Sequence, residues 1–81
     1  MIVPVQFYSY FKDLAGCAAA EFDLPDGSSV ADLLRAAHGR FPALAPLQQS
    51  TLIAVGVEYQ RREYILQPGD QVSLFPPVQG G

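Results

Sequence analysis

The stretch LFPPVQGG at residues 74–81 combines a strand-like apolar base, a stiff Pro76-Pro77 pair and two final glycines. Residues of these types can thread a carboxylate into a narrow channel. Two prolines hold the exit extended and lower the entropy lost when it is bound. Val78 and Gln79 lengthen the reach, so that Pro76 to Gly81 spans about 20 Å at ~3.3–3.6 Å per residue. Gly80 and Gly81 carry no Cβ, which keeps the tip slim and its φ angles permissive. No other set of residues offers comparable chemistry. Cys17 has no second thiol for a disulfide or a metal cluster and reads as a small buried side chain. His38 reads as a solvated helix end with no His or Cys at ligand spacing, so no metal site is expected. The carboxylates are scattered, no Gly-rich loop joins a strand to a helix, and nothing local supports a Ser-His-Asp set. No catalytic residues are assigned.

The elements that must carry this tail follow from periodicity. In IVPVQFY, Val3, Val5 and Phe7 alternate with Pro4, Gln6 and Tyr8, the period of a strand, with firm pairing expected after Pro4. SYFKDLAG reads as a helical turn closed by Gly16. Ala20, Phe22 and Leu24 form a second alternating strand, and PDG at 25–27 is a turn. Ser29 with Asp32 starts the main helix as a capping box, and Val30, Leu33, Leu34 and Ala37 make one apolar stripe. Gly39 is expected to close that helix, with Pro42 forbidding its return. FPALAPLQQS reads as an irregular connection anchored by Phe41, Leu44 and Leu47. TLIAV is a third strand ended by Gly56, EYQRREYIL carries a short polar edge segment, and QPGD at 67–70 suits a type II turn. QVSLF is the last strand, with Val72 and Leu74 facing one way and Phe75 the other. Several strands around one main helix make an α+β layered domain.

Composition narrows the class. The chain has 81 residues, 49% hydrophobic and 16% charged, the profile of one small folded domain rather than a disordered segment. A net charge of −3 with five Lys and Arg argues against a nucleic-acid partner and fits a neutral or basic protein instead. Apolar runs are too short for a membrane span, and the N-terminus lacks the basic flank and cleavage site of a signal peptide, so the cytoplasm is the expected compartment.

FYSYFKDLAG, LIAV and LQPGDQVSLFPPVQGG, together with the length, resemble the small sulfur-carrier subunit of molybdopterin synthase. The resemblance spans the chain and is weakest over residues 36–50. PGD before a strand and a terminal Gly-Gly is shared by many ubiquitin-like sulfur carriers; FPPV-x-GG is the more specific signal and favours this branch, while Gly56 departs from the Asn often found there. The resemblance implies a ubiquitin-like β-grasp: a mixed sheet of about five strands on one main helix over residues 1–75, and a flexible C-terminal tail over 76–81. It implies that Gly81 is adenylated by a ubiquitin-activating-like adenylyltransferase, which consumes ATP, and is then thiocarboxylated from a sulfur donor. The implied partner is the large synthase subunit, in a heterotetramer of two small and two large subunits, with the catalytic residues there and no cofactor held stably here. Tyr59 matches an apolar family position. Tyr8, Tyr59 and Phe75 are therefore expected to form a shared partner patch, with Lys12 at its rim. A carrier for thiamin or tRNA thiolation, a protein-conjugating modifier, and a noncatalytic β-grasp interaction module stay open as alternatives. A plant-type ferredoxin does not, since its cluster needs four cysteines.

Overall fold

The computed structural model of the chain describes residues 1–77. Alternation in β1 (Ile2–Phe7) buries Val3, Val5 and Phe7 on one face. Its neighbours are β2 (Ala19–Asp23), antiparallel, and β5 (Val72–Phe75), parallel. Beyond β5 come β3 (Leu52–Val55) and the two-residue β4 (Glu58–Tyr59), giving the mixed order β2-β1-β5-β3-β4. The last strand in sequence therefore lies in the middle of the sheet.

Pro4 is accommodated by the hydrogen-bond phase of β1. Odd residues bond towards β2, as in Phe7 N–H to Ala18 O at 2.9 Å, while even ones face β5, as in Tyr8 N–H to Leu74 O at 3.2 Å. The missing N–H of Pro4 points to the β5 side, where pairing starts only at Val5. On the β2 side the ladder already runs from Ile2, so pairing begins earlier there than the proline suggests.

Helix α1 (Phe11–Ala15) ends at Gly16 with φ 76°, as its sequence predicts. Helix α2 (Val30–Arg40) starts on the expected capping box: Ser29 N–H donates to Asp32 Oδ2 at 2.9 Å, and Asp32 N–H donates to Ser29 Oγ at 3.2 Å. Val30, Leu33, Leu34 and Ala37 face the sheet and are buried. Gly39 does not close the helix. The helix runs through it to Arg40 and stops at Phe41, because the residue before Pro42 is driven out of the α region. Residues 42–50 are not irregular either. They form 3₁₀ turns over Pro42–Ser50, with Pro46 inside and Leu44 sealing the core. Leu66, from a segment without regular structure, is 1% exposed and completes that core. The 67–70 turn has Gly69 at φ 92°, and Tyr64 Oη donates to Asp70 Oδ2 at 3.0 Å.

Two side chains are placed differently from expectation. Cys17, two residues before β2, is half-buried against the core rather than enclosed by it. His38 is half-buried beside Arg62 and Gln48 rather than solvated, since the residues around position 62 fold back over α2. Among the described residues no helix is long and apolar enough to cross a membrane.

Candidate functional site

The tail leaves from the end of a central strand, so its base is framed on both sides. Phe75 is opposite in parity to the buried Val72 and Leu74, which turns it to the sheet face away from α2. β1 brings Tyr8 to one side of it, and the register Leu52↔Phe75 brings β3 to the other. Tyr59 on β4 pairs with Ala54 and reaches the same face. Tyr8 and Phe75 stack with ring centroids 4.6 Å apart and planes at 16°. Tyr59 meets Phe75 edge-on at 6.4 Å and 66°. Tyr8 Oη donates to Gln6 Oε1 at 2.7 Å, holding its ring flat on the sheet.

The three aromatics predicted as a patch are thus brought together, with Tyr8 38% and Tyr59 70% exposed and Phe75 half-buried between them. Lys12 is exposed on α1 and does not line the groove they border. That groove, about 450 Å³, runs between Leu52, Tyr59 and Phe75 on the sheet side and Ser9 and Tyr10 on the other. Pro76 and Pro77 form its third wall. Ser9 takes the left-handed conformation at φ 55°, which costs a non-glycine residue about 1–2 kcal/mol. This swings the chain out of β1 and sets Tyr8 on the sheet and Tyr10 at the groove. Sequence reasoning overlooked Leu52, 37% exposed; its signal was parity, since it alternates with the buried Ile53. It also overlooked Ser9 and Tyr10, which carry no periodic signal. Val78, Gln79, Gly80 and Gly81 lie outside the described residues.

The site is apolar, and the perturbed ionisable groups lie elsewhere. Hydrogen bonds from Ser29, backbone first and then side chain, hold the Asp32 carboxyl below its ordinary range. Burial, then the charge of Arg62, lowers His38, against a partly opposing hydrogen bond with Gln48. The hydrogen bond to Asp70 raises Tyr64. Among the described residues no three His, Cys, Asp or Glu side chains gather as a metal set. An arrangement of this kind can seat a partner against exposed aromatics and aim the chain leaving β5. Among the described residues lining the groove there is no carboxylate, His, Lys or Cys, and the only side-chain polar groups are the hydroxyls of Ser9, Tyr10 and Tyr59.

A mixed sheet in this order, covered on one face by a helix and releasing its C-terminus from the middle strand, is the ubiquitin-like β-grasp. SAMP1 from Haloferax volcanii has the same fold, with a TM-score of 0.89 over 100% of both chains at 24% identity. The pattern of the ThiS family matches residues 5–81, and the chain belongs to that family. It is similar to a molybdopterin synthase sulfur carrier subunit from Chlamydomonas reinhardtii, 31% identical over 83 residues and covering 100% of both chains. Among solved structures it is similar to a putative molybdopterin converting factor subunit 1 from Pyrococcus furiosus. That match has a TM-score of 0.87 and 30% identity, over 96% of this chain and 99% of the other.

Proposed function

We propose that this chain is the sulfur carrier of a molybdopterin synthase, loaded at the carboxylate of Gly81. The observation that carries the reading is the framing of the tail exit. A central strand delivers Phe75, Pro76 and Pro77 into a groove edged by exposed aromatics, which suits a protein partner that must also receive the tip. The names of full-length relatives support the choice of pathway.

A carboxylate resists attack because it is anionic and resonance-stabilised. In the proposed sequence the Gly81 carboxylate attacks the α-phosphorus of ATP on a separate adenylyltransferase. Pyrophosphate leaves and a mixed anhydride with AMP forms. A sulfide-level nucleophile then adds to the acyl carbon and AMP departs, leaving one oxygen and one sulfur on that carbon. With no Cβ beside it, the carbonyl of a glycine is open to this attack. The thiocarboxylate is a sulfur nucleophile on a protein handle, a group carrier. Two carriers in turn would give their sulfurs to cyclic pyranopterin monophosphate in the active site of the large subunit, forming the dithiolene. Acid-base chemistry and phosphate binding would belong to that subunit, in an assembly of two small and two large chains.

Intact mass spectrometry after incubation with ATP, the cognate activating enzyme and a sulfur donor tests the proposal. The expected product has one oxygen of Gly81 replaced by sulfur. An unchanged mass, with an enzyme shown to adenylate another carrier, rejects it.

A further inference from the structure

The chain holds five Lys and Arg and one His, and four of these six line two adjoining grooves. One groove, of about 190 Å³, lies on α2 and is lined by Arg35, His38, Gln48 and Arg62. The second, of about 390 Å³, follows β3 and β4 and is lined by Arg61, Arg62 and Glu63, with Leu52 and Tyr59 at its other end. Arg62 joins the two. Leu52 and Tyr59 join the second groove to the tail exit. The remaining cations are elsewhere: Lys12 on α1, and Arg40 over the Phe22 ring at 5.1 Å with Nη1 donating to Glu21 O at 2.8 Å.

This strip reverses the sign of an otherwise acidic molecule. Arg62 is held from both ends, its guanidinium donating to Gln48 O and its carbonyl accepting from Ala31 N–H at 2.9 Å. A fixed guanidinium loses little freedom when it takes up a carboxylate. Among the described residues Arg35 alone of the three has a carboxylate partner, Asp32 at 3.2 Å, and Arg61 and Arg62 have none within 4.0 Å.

We propose that Arg35, Arg61 and Arg62 form a second contact surface, continuous with the tail exit, for an acidic extended segment of a protein partner. The inference takes the tail exit as a partner's seat, as in the reading above, but does not depend on sulfur chemistry. Apolar contact at Tyr59 and Leu52 supplies affinity, and the arginines fix the partner's direction along β4 and speed its approach. A nucleic acid is the poorer occupant. Glu63 and Asp32 interrupt the strip, and the acidic remainder of the chain repels a polyphosphate backbone.

The test is a nuclear magnetic resonance titration of the isotope-labelled full chain with a short Asp/Glu-rich peptide carrying one Leu. Inorganic phosphate and an oligothymidylate serve as comparison probes. The peptide is expected to move the signals of Arg35, Arg61, Arg62 and Tyr59 together, with binding weakened by added salt. The exposed double variant Arg35→Glu/Arg61→Glu should keep the native spectrum and bind roughly tenfold more weakly. Shifts scattered over the surface, or equal affinity in the variant, overturn the proposal. So does tighter binding of the oligothymidylate or phosphate to the same residues, which would make the strip a phosphate site. No ATP or activating enzyme enters, so failure here is distinct from failure of Gly81 to acquire sulfur.

Discussion

Phe75 packs on the outer face of the sheet and lines the groove at the tail exit. Its ring stacks on Tyr8 and meets Tyr59 edge-on, yet parity keeps it out of the core. Truncation therefore removes aromatic pairs worth about 0.5–1.5 kcal/mol each, not the roughly 3–5 kcal/mol of a core phenylalanine. Phe75→Ala is expected to lower unfolding stability by about 1–3 kcal/mol in denaturant titrations. Binding of the large subunit, read by calorimetry, should weaken roughly 30-fold, the loss typical of a central anchor. A destabilised variant that binds normally would remove Phe75 from the partner face. His38 gives a different kind of prediction. Burial and Arg62 hold its pKa below the ordinary 6.5, and Arg35 and Gln48 are the other groups lining its groove. The unfolded chain thus takes the proton more readily than the folded one. Stability should fall as pH drops below about 6.5 and level off once the folded pKa is passed. His38→Gln should flatten denaturation midpoints across that window. The Asp32 carboxylate acts separately: its stabilisation is full above its ordinary 3.8 and disappears at lower pH, as the folded carboxyl protonates.

At the scale of the elements, α2 shows how a sequence sign can be outweighed. Gly39 carries a stop signal, but its φ is not positive and the helix runs on to Arg40. An added Cβ there meets nothing within 4 Å. Gly39→Ala should therefore stabilise the protein by about 0.5–1 kcal/mol, through lower chain entropy in the unfolded state. A raised thermal midpoint checks this; a lowered one would mean that residues 39–40 need the glycine's freedom. Elements with strong local physics were legible. The capping box at Ser29, the apolar stripe from Val30 to Ala37 and the alternation in β1 and β5 all appear where the sequence places them. What escaped is set by partners distant in the chain. Pro4 is tolerated because of the phase of β1 against β5, which no local pattern encodes. Leu66 is core because Leu66 N–H bonds to Ser28 O at 2.8 Å and ties its segment under α2. The 3₁₀ turns of 42–50 follow from packing Leu44 with two prolines nearby, a sequence that reads locally as a breaker. Of the candidate site, Tyr8 and Phe75 were readable as outward-facing from strand parity and Tyr59 only through the family resemblance, whereas Ser9 and Tyr10 depend on one left-handed residue.

Across the whole molecule, the fold and the proposed chemistry occupy separable parts of the chain. Among the described residues every member of the buried core cluster lies between Val3 and Leu74, whereas the proposed reactive position is Gly81. A domain of this length has a stability of roughly 4–12 kcal/mol, and truncating a buried phenylalanine takes away about 3–5 of it. Phe7→Ala removes a ring that is 2% exposed and packed edge-on to Phe41 at 5.5 Å. It should lower the thermal midpoint steeply, and sulfur loading with it, because the sheet that aims β5 is lost. Deleting Gly81 should do the opposite. The thermal midpoint and the amide spectrum of residues 1–77 stay as in the parent chain, while ATP-dependent incorporation of sulfur, followed by intact mass, vanishes. If the shortened chain still accepts sulfur at its new terminus, reach along the tail rather than the identity of residue 81 sets the reaction. If the deletion instead unfolds the protein, the division between a rigid carrier and a disposable tip is wrong.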